Sequence, residues 1–335
     1  MAESASAFTS SLAVVYLARF AEGAKPIANF IESYNRHAAG IAHDRVVIRK
    51  GFSDENTQQD RILRPLFSNV ISLSDDGFDI TAFAKAAAQL PHKQVVFLNT
   101  FSEIVSDNWL AKLNSTFSEP AIGLVGATGS YESLHSSVKR FQEGLFRNKL
   151  LPSSGRLKRL SQSVRKLLPQ RFMNRLVLAI IAYSATNNQA ANNRTPDDQF
   201  EAFWESETRP GGTFGFLNAI PLYPNPHIRT NAFMIERQTF LDTLPTSITA
   251  KKDTFLYESG PDSLTQQILR RGKKVVIVGN DRQSYSIDQW PKSGTFRLGD
   301  QHNLLVQDNQ TRAFAALSRA EKRVFVEMTW GEYLT

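Results

Sequence analysis

Leu12-Ala13-Val14-Val15-Tyr16-Leu17, the segment from Pro26 to Ala39, and Val46-Val47-Ile48 together decide the fold. The first is an unbroken apolar run, the pattern of a strand buried on both faces. Pro26 starts a helix through about Ala39, because proline suits a first helical turn. Ile27, Phe30, Ile31 and Tyr34 line one face of that helix, and Gly40 can end it. Val46-Val47-Ile48 is a second strand.

The same alternation continues. Val70-Ile71-Ser72-Leu73 reads as a third strand, ending in Asp75-Asp76-Gly77. An Ala-rich helix runs from Ile80 to Leu90. Gln94 to Leu98 is a fourth strand, Trp109 to Phe117 a helix, and Ile122-Gly123-Leu124-Val125 a fifth strand. Strand and helix in turn predict an α/β fold: a mostly parallel sheet with helices on both faces. Ligands of such sheets sit beyond the carboxyl ends of the strands, so polar residues after Leu17, Leu73 and Leu98 are expected to share one rim.

The chain has 335 residues, 41% hydrophobic and 21% charged, enough to bury a large core as one domain or two. It has no cysteine, which excludes disulfides, zinc–thiolate sites and cysteine nucleophiles and fits a reducing compartment. No basic segment precedes Leu12, so no secretory signal is expected. The apolar run near Leu176 to Ala182 falls well short of the roughly 20 residues that span a bilayer. Net charge is +7 but uneven: Ser136 to Ile180 holds eleven cations against Glu143 alone, so that segment is +10 and the remainder −3. Three parts of one domain are expected: an α/β half at 1–135, a basic helical insertion at 136–200, and a second half at 201–335 that carries the acceptor and catalytic residues and a C-terminal flap.

The run Tyr223-Pro224-Asn225-Pro226-His227-Ile228-Arg229-Thr230-Asn231-Ala232-Phe233-Met234-Ile235 is the richest in chemistry. Two prolines impose non-helical backbone. An imidazole, a guanidinium, a hydroxyl and an amide then arrive within five residues, before an apolar, strand-like tail. Such a loop suits an anionic, hydroxyl-rich ligand. The competing reading is a turn whose Arg and His pair with neighbouring carboxylates.

The order of these pieces resembles GT-A-type glycosyltransferases, in particular bacterial cell-surface polysaccharide, rhamnosyltransferase-like members. Val96-Phe97-Leu98-Asn99-Thr100-Phe101-Ser102 resembles the strand that ends in their Asp-any-Asp motif, near its Leu-Asn-any-Asp variant. Trp109-Leu110 and Gly123 to Ser130 resemble the segments downstream of that motif, and Asp75 to Asp79 the loop before it. Glu258 to Gly272 is similar to the acidic loop and helix that supply the catalytic base, and Pro224 to Ile235, Glu258-Ser259-Gly260 and Trp290-Pro291 to Gln310 together resemble the cell-surface polysaccharide subgroup. The resemblance spans roughly residues 10 to 315, with the basic segment as an insertion.

It implies a GT-A-like (Rossmann-like) sheet, a nucleotide-sugar donor, and a glycan or lipid-linked glycan acceptor. The departure is at the metal motif, where Asn99, Thr100 and Phe101 stand. Hard cations want carboxylate oxygens; Asn99 offers one neutral oxygen, and only Glu103 is near enough to substitute. No cofactor is therefore expected to be required, with Mg2+ or Mn2+ as the alternative. Arg229, Arg282 and Arg297 are candidates to neutralise the diphosphate instead, through the guanidinium fork. Arg19, Asp75, Asp76, Asp79 and Asn99 are further donor-site candidates. His227, Asn231 and Trp290 are candidates for the acceptor.

An inverting transfer needs a base near the attacking hydroxyl. Glu258 and Asp262 are the candidates, and for Asp262 the competing reading is the N-cap of the helix Ser263 to Arg271. Asp75, Asp76 and Asp79 read equally as turn residues, and Trp290 as core. In the basic insertion, leucines interleave with the cations, which suits an anionic membrane surface; a solvated face and nucleic acid are the other readings. The expectation is a cytoplasmic glycosyltransferase, peripheral on the inner membrane face. Its rivals are a non-catalytic sugar-nucleotide or glycan-binding protein and a nucleic-acid-binding or -modifying protein.

Overall fold

A computed structural model of the chain describes residues 8–331, apart from 55, 151–194 and 213. The chain forms two compact units: Met1–Ser130 with Pro226–Ala315, and Tyr131–Asn225 with Ala316–Thr335.

The first unit is a mixed α/β layer structure of the Rossmann-like kind expected. Its strands are β1 (Leu12–Arg19), β2 (Asp44–Lys50), β3 (Asn69–Leu73), β4 (Gln94–Leu98), β5 (Glu103–Ile104), β6 (Ile122–Gly126), β7 (Gly129–Ser130), β8 (His227–Ile228), β9 (Ala232–Glu236), β10 (Lys274–Val278), β11 (Ser284–Tyr285) and β12 (Val306–Gln307). Eight of them form one sheet in the order β11-β10-β6-β9-β4-β1-β2-β3. β1, β2, β3 and β4 pair in parallel, as do β6 and β10. β9 enters between β4 and β6 antiparallel to both, with Leu98 opposite Ala232 and Gly126 opposite Phe233.

β1 is buried on both faces, as its unbroken apolar run requires. Leu12, Val14, Tyr16 and Ala18 share a core with Ile27, Phe30, Leu98, Trp109 and Leu113, beneath the helices Ala24–Arg36 and Trp109–Phe117. Tyr16 stacks on Phe30 at 3.7 Å between ring centroids. Phe97 and Phe233 meet Phe83 of the helix Asp79–Gln89 and Phe240 of the helix Arg237–Asp242, with Phe97 4.6 Å from Phe83 and 4.8 Å from Phe240. Helices thus cover both faces.

Two local expectations are corrected. Glu258 lies not in a loop but in the last turn of a helix, Lys251–Ser259. Asp253 opens that helix by accepting from the Ala250 and Thr249 amides, and Gly260-Pro261 comes after its end. The N-cap of the next helix, Leu264–Arg270, is Ser263, whose hydroxyl accepts from the Gln266 amide; Asp262 does not cap it.

The second unit contains the helices Leu134–Leu150, Pro196–Thr208 and Arg319–Trp330. Phe200, Phe203, Trp204, Phe214 and Trp330 are buried. Two cations of the basic segment are ion-paired, Lys139 with Glu201 at 2.9 Å and Arg140 with Glu327 at 2.6 Å. Most of that segment, including its leucine-rich part, lies outside the described residues. Among the described residues no helix is long and apolar enough to cross a membrane.

Candidate functional site at the carboxyl rim

The parallel strands end together, and β9, running the other way, begins there. Arg19 ends β1, Lys50 ends β2, the Asp75 loop comes after β3, Asn99 after β4, and Arg229-Thr230-Asn231 lead into β9. The Asn99 amide donates to the Asn231 carbonyl at 3.1 Å, locking the two loops at one edge.

Arg19 clamps Asp75 with both ends of its fork, Nε to Oδ1 at 2.7 Å and Nη2 to Oδ2 at 3.0 Å. That hydrogen bond, above all, holds the Asp75 carboxyl below its usual range, and burial opposes it only in part. Gly51 (φ 77°) allows the close approach, since a Cβ there would stand 2.9 Å from the Asp75 Cβ. Lys50 is 1% exposed and donates to the Gly77 carbonyl at 2.7 Å. Burial lowers its ammonium, and Asp79 and Asp75 act in the opposite direction. Asp76 accepts from the Ser74 hydroxyl at 2.8 Å, a turn contact.

Glu258 is half-buried and accepts from the Thr230 hydroxyl at 2.9 Å. Burial pushes its carboxyl up, opposed by Lys251, Thr230 and Arg229 and reinforced by Asp79. The Asp79 charge acts on Arg19, on Lys50 and on Glu258. Lys251 is exposed and rides over the rings of Phe78 and Phe255 at 5.6 and 5.1 Å. A half-buried carboxyl raised by burial can exchange a proton with a bound hydroxyl.

Most of the other sequence candidates have partners elsewhere, and Arg282 stays exposed. Arg229 donates to Asp308 at 2.6 Å and to the Thr128 hydroxyl at 3.3 Å, and lies 4.0 Å over the Phe296 ring. This is the paired-arginine reading of the loop, not a free phosphate fork. Arg297 is 4% exposed and packs against Phe296 from 4.8 Å. Arg282 is exposed in the turn between β10 and β11 (φ 69°), where its charge acts on Lys112. Asn231 is buried, with its side-chain oxygen accepting from Thr128 at 2.8 Å. His227 lies in β8, opposite Ser130. Trp290 is 0% exposed, donates Nε1 to the Tyr285 carbonyl at 3.0 Å and packs on Gly129, so neither ring face is open to a sugar. Asp262 is exposed and paired with Arg270 at 2.5 Å.

The metal motif is spoken for as well. The Asn99 side-chain oxygen accepts from the Phe101 amide at 3.0 Å, and it competes with the Asn231 carbonyl, at 3.0 and 2.8 Å, for the one proton of the Ser102 hydroxyl. Glu103 receives Asn29 at 2.9 Å, Gln307 at 2.7 Å and Arg312 at 2.8 Å. Among the described residues no group of three or more His, Cys, Asp or Glu is placed to hold a metal ion.

Sequence reasoning gave no site role to Lys50, Thr230, Lys251 or Asp308. Thr230 lies in the proline-led loop before β9. The spacing of Asp308 and Thr311 is a readable helix-start signal, and each bonds the other's backbone amide, at 2.8 and 2.9 Å. For Lys50 and Lys251 no local signal separates them from surface lysines.

No protein-family profile and no curated protein matches the chain. Among solved structures it is similar to a mannosyltransferase from Pyrobaculum calidifontis in complex with GDP-Man and Mn2+, at 13% identity over 35% of this chain and 34% of that one, TM-score 0.30. It is also similar to glucosyl-3-phosphoglycerate synthase from Mycobacterium tuberculosis, in complex with Mn2+, UDP and glucosyl-3-phosphoglycerate, at 18% identity over 34% and 42%, TM-score 0.28. A third is 4-diphosphocytidyl-2C-methyl-D-erythritol synthase from Anaerococcus prevotii, at 10% identity over 80% and 87%, TM-score 0.38. The first two matches thus span well under half of either chain.

Proposed function

We propose that the chain is a glycosyltransferase that moves a sugar from a nucleotide-sugar donor to a surface-glycan acceptor, with Glu258 as base. The observation that carries this reading is the half-buried Glu258 carboxyl, raised by burial, at the rim where α/β sheets bind ligands. In the reaction the acceptor hydroxyl gives its proton to Glu258 as its oxygen bonds to the anomeric carbon. The bond from that carbon to the diphosphate breaks, and the nucleoside diphosphate leaves with the electron pair. Arg19 and the Asp75 loop form the donor side, and the buried Lys50 braces that loop through the Gly77 carbonyl. With the Asn99 and Glu103 oxygens engaged, charge neutralisation by cations is favoured; Lys251 is the exposed one beside Glu258.

The acceptor is proposed to be carried on a membrane lipid, with the segment 136–180 docking on the anionic surface. Its charge of +10 with interleaved leucines supports this. The experiment is turnover of a panel of nucleotide sugars by wild type and Glu258→Gln. A drop in kcat of about 10² or more with donor affinity kept is expected. Near-normal turnover in the variant would remove Glu258 from the reaction.

A further inference from the structure

We propose that Thr230 is the positioning residue for Glu258: its hydroxyl holds Oε1 and leaves Oε2 to take the proton. This rests on Glu258 as the base. The Thr230 hydroxyl reaches Oε1 at 2.9 Å across 28 residues of sequence. Among the described residues no donor reaches Oε2.

Thr230 can hold that position because the chain is fixed on both sides of it. Before it, the Arg229 guanidinium is pinned between Asp308 and the face of Phe296, and the Arg229 amide donates to the Thr128 carbonyl at 3.1 Å. After it, the Asn231 carbonyl accepts the Asn99 amide at 3.1 Å and the Ser102 hydroxyl at 2.8 Å, and its side chain accepts Thr128. The hydroxyl is therefore presented from rigid backbone, as a positioning contact must be.

The charges around Glu258 define what the contact does. Asp79, from the start of its helix, and the carboxyl-terminal end of Glu258's own helix disfavour the carboxylate. Lys251, from the first turn of that helix, and Arg229, from the lead into β9, favour it. Thr230 is the donor in direct contact. A hydrogen bond to the charged form lowers a carboxyl's pKa, so removing the hydroxyl raises that of Glu258.

The test is a carboxyl-carbon NMR titration of the full chain labelled in glutamate, with the Glu258 signal assigned by its loss in Glu258→Gln. In Thr230→Val, which keeps the shape, the midpoint should rise by about half a unit or more, and Thr230→Ser should restore it. A merely structural threonine would change the melting temperature and leave the acid limb of the kcat profile against pH alone. An unchanged midpoint in Thr230→Val overturns the inference. Thr230→Ala supplies the same reading where the valine variant does not fold. The outcome is separable from that for the reaction: full turnover by Glu258→Gln sinks the base assignment, whereas an inactive Glu258→Gln beside an unshifted Thr230→Val sinks the positioning role alone.

Discussion

Arg229 and Asp308, 79 residues apart, form an ion pair at 2.6 Å in which the side chains are 10% and 1% exposed. The pair ties the lead into β9 to the C-terminal segment of the first unit. Burial pushes the Asp308 carboxyl up, but the Arg229 charge and the bonds from Thr311 outweigh it and hold it below its usual range. The arginine that looked like a phosphate ligand is a structural member of the rim.

Breaking that pair should therefore cost stability first. Arg229→Met leaves the buried Asp308 carboxylate without its cation, held by Thr311 only, at about 3–5 kcal/mol. Urea unfolding of the variant should show it as a lower midpoint at unchanged slope. A variant as stable as wild type, with donor binding lost, would return Arg229 to the ligand.

The same pair sets an acid limit. A carboxyl lowered in the folded state adds stability that is present above its unfolded value, about 3.9, and is lost as pH falls through the folded value. Wild type should lose stability on acidification below about pH 4 more steeply than Asp308→Asn. Thermal melts from pH 6 to pH 2.5 measure the two slopes; parallel curves would exclude Asp308 as their source.

Glu258 predicts the opposite sign. Its carboxyl is raised by burial, so the folded state binds its proton more tightly, and stability declines as pH rises from about 4.3, the unfolded value, through the folded one. Glu258→Gln should be at least as stable as wild type at pH 8 while turnover falls. A destabilised Gln variant would mark the residue as structural.

Donor binding is expected to depend little on metal, because the Asn99 and Glu103 oxygens are already engaged. Calorimetry with UDP and with GDP, in Mn2+ and in EDTA, should give dissociation constants within tenfold, about 1.4 kcal/mol. A loss of a hundredfold in EDTA would show that Glu103 or another oxygen is recruited.

Gly129→Ala should destabilise the first unit by about 1–3 kcal/mol through overpacking. The new Cβ would stand 2.7 Å from Cε3 of the fully buried Trp290 ring. A neutral melt would mean that the Trp290 segment shifts at little cost.

The runs of β1 and β4 and the helix Trp109–Phe117 were legible because their cause is local. A strand covered on both faces must be apolar throughout, and a helix on a sheet must repeat its apolar stripe. Helix limits were less legible: the helix expected to reach Ala39 stops at Arg36, before an extended His37. The helix Lys251–Ser259 has only a weak apolar stripe, so Glu258 read as loop.

The sequence by itself determined the α/β class, the order of strands along the chain, and the rim at which polar residues gather. Each stems from which short segments must be buried. Only the tertiary structure decided that β9 enters antiparallel between β4 and β6, that Arg229 belongs to Asp308, and that Thr230 meets Glu258. Those choices are pairings between distant segments, and the residue types allow several partners for each. The selection among them comes from the burial and hydrogen bonding that all the segments reach together once the sheet is formed.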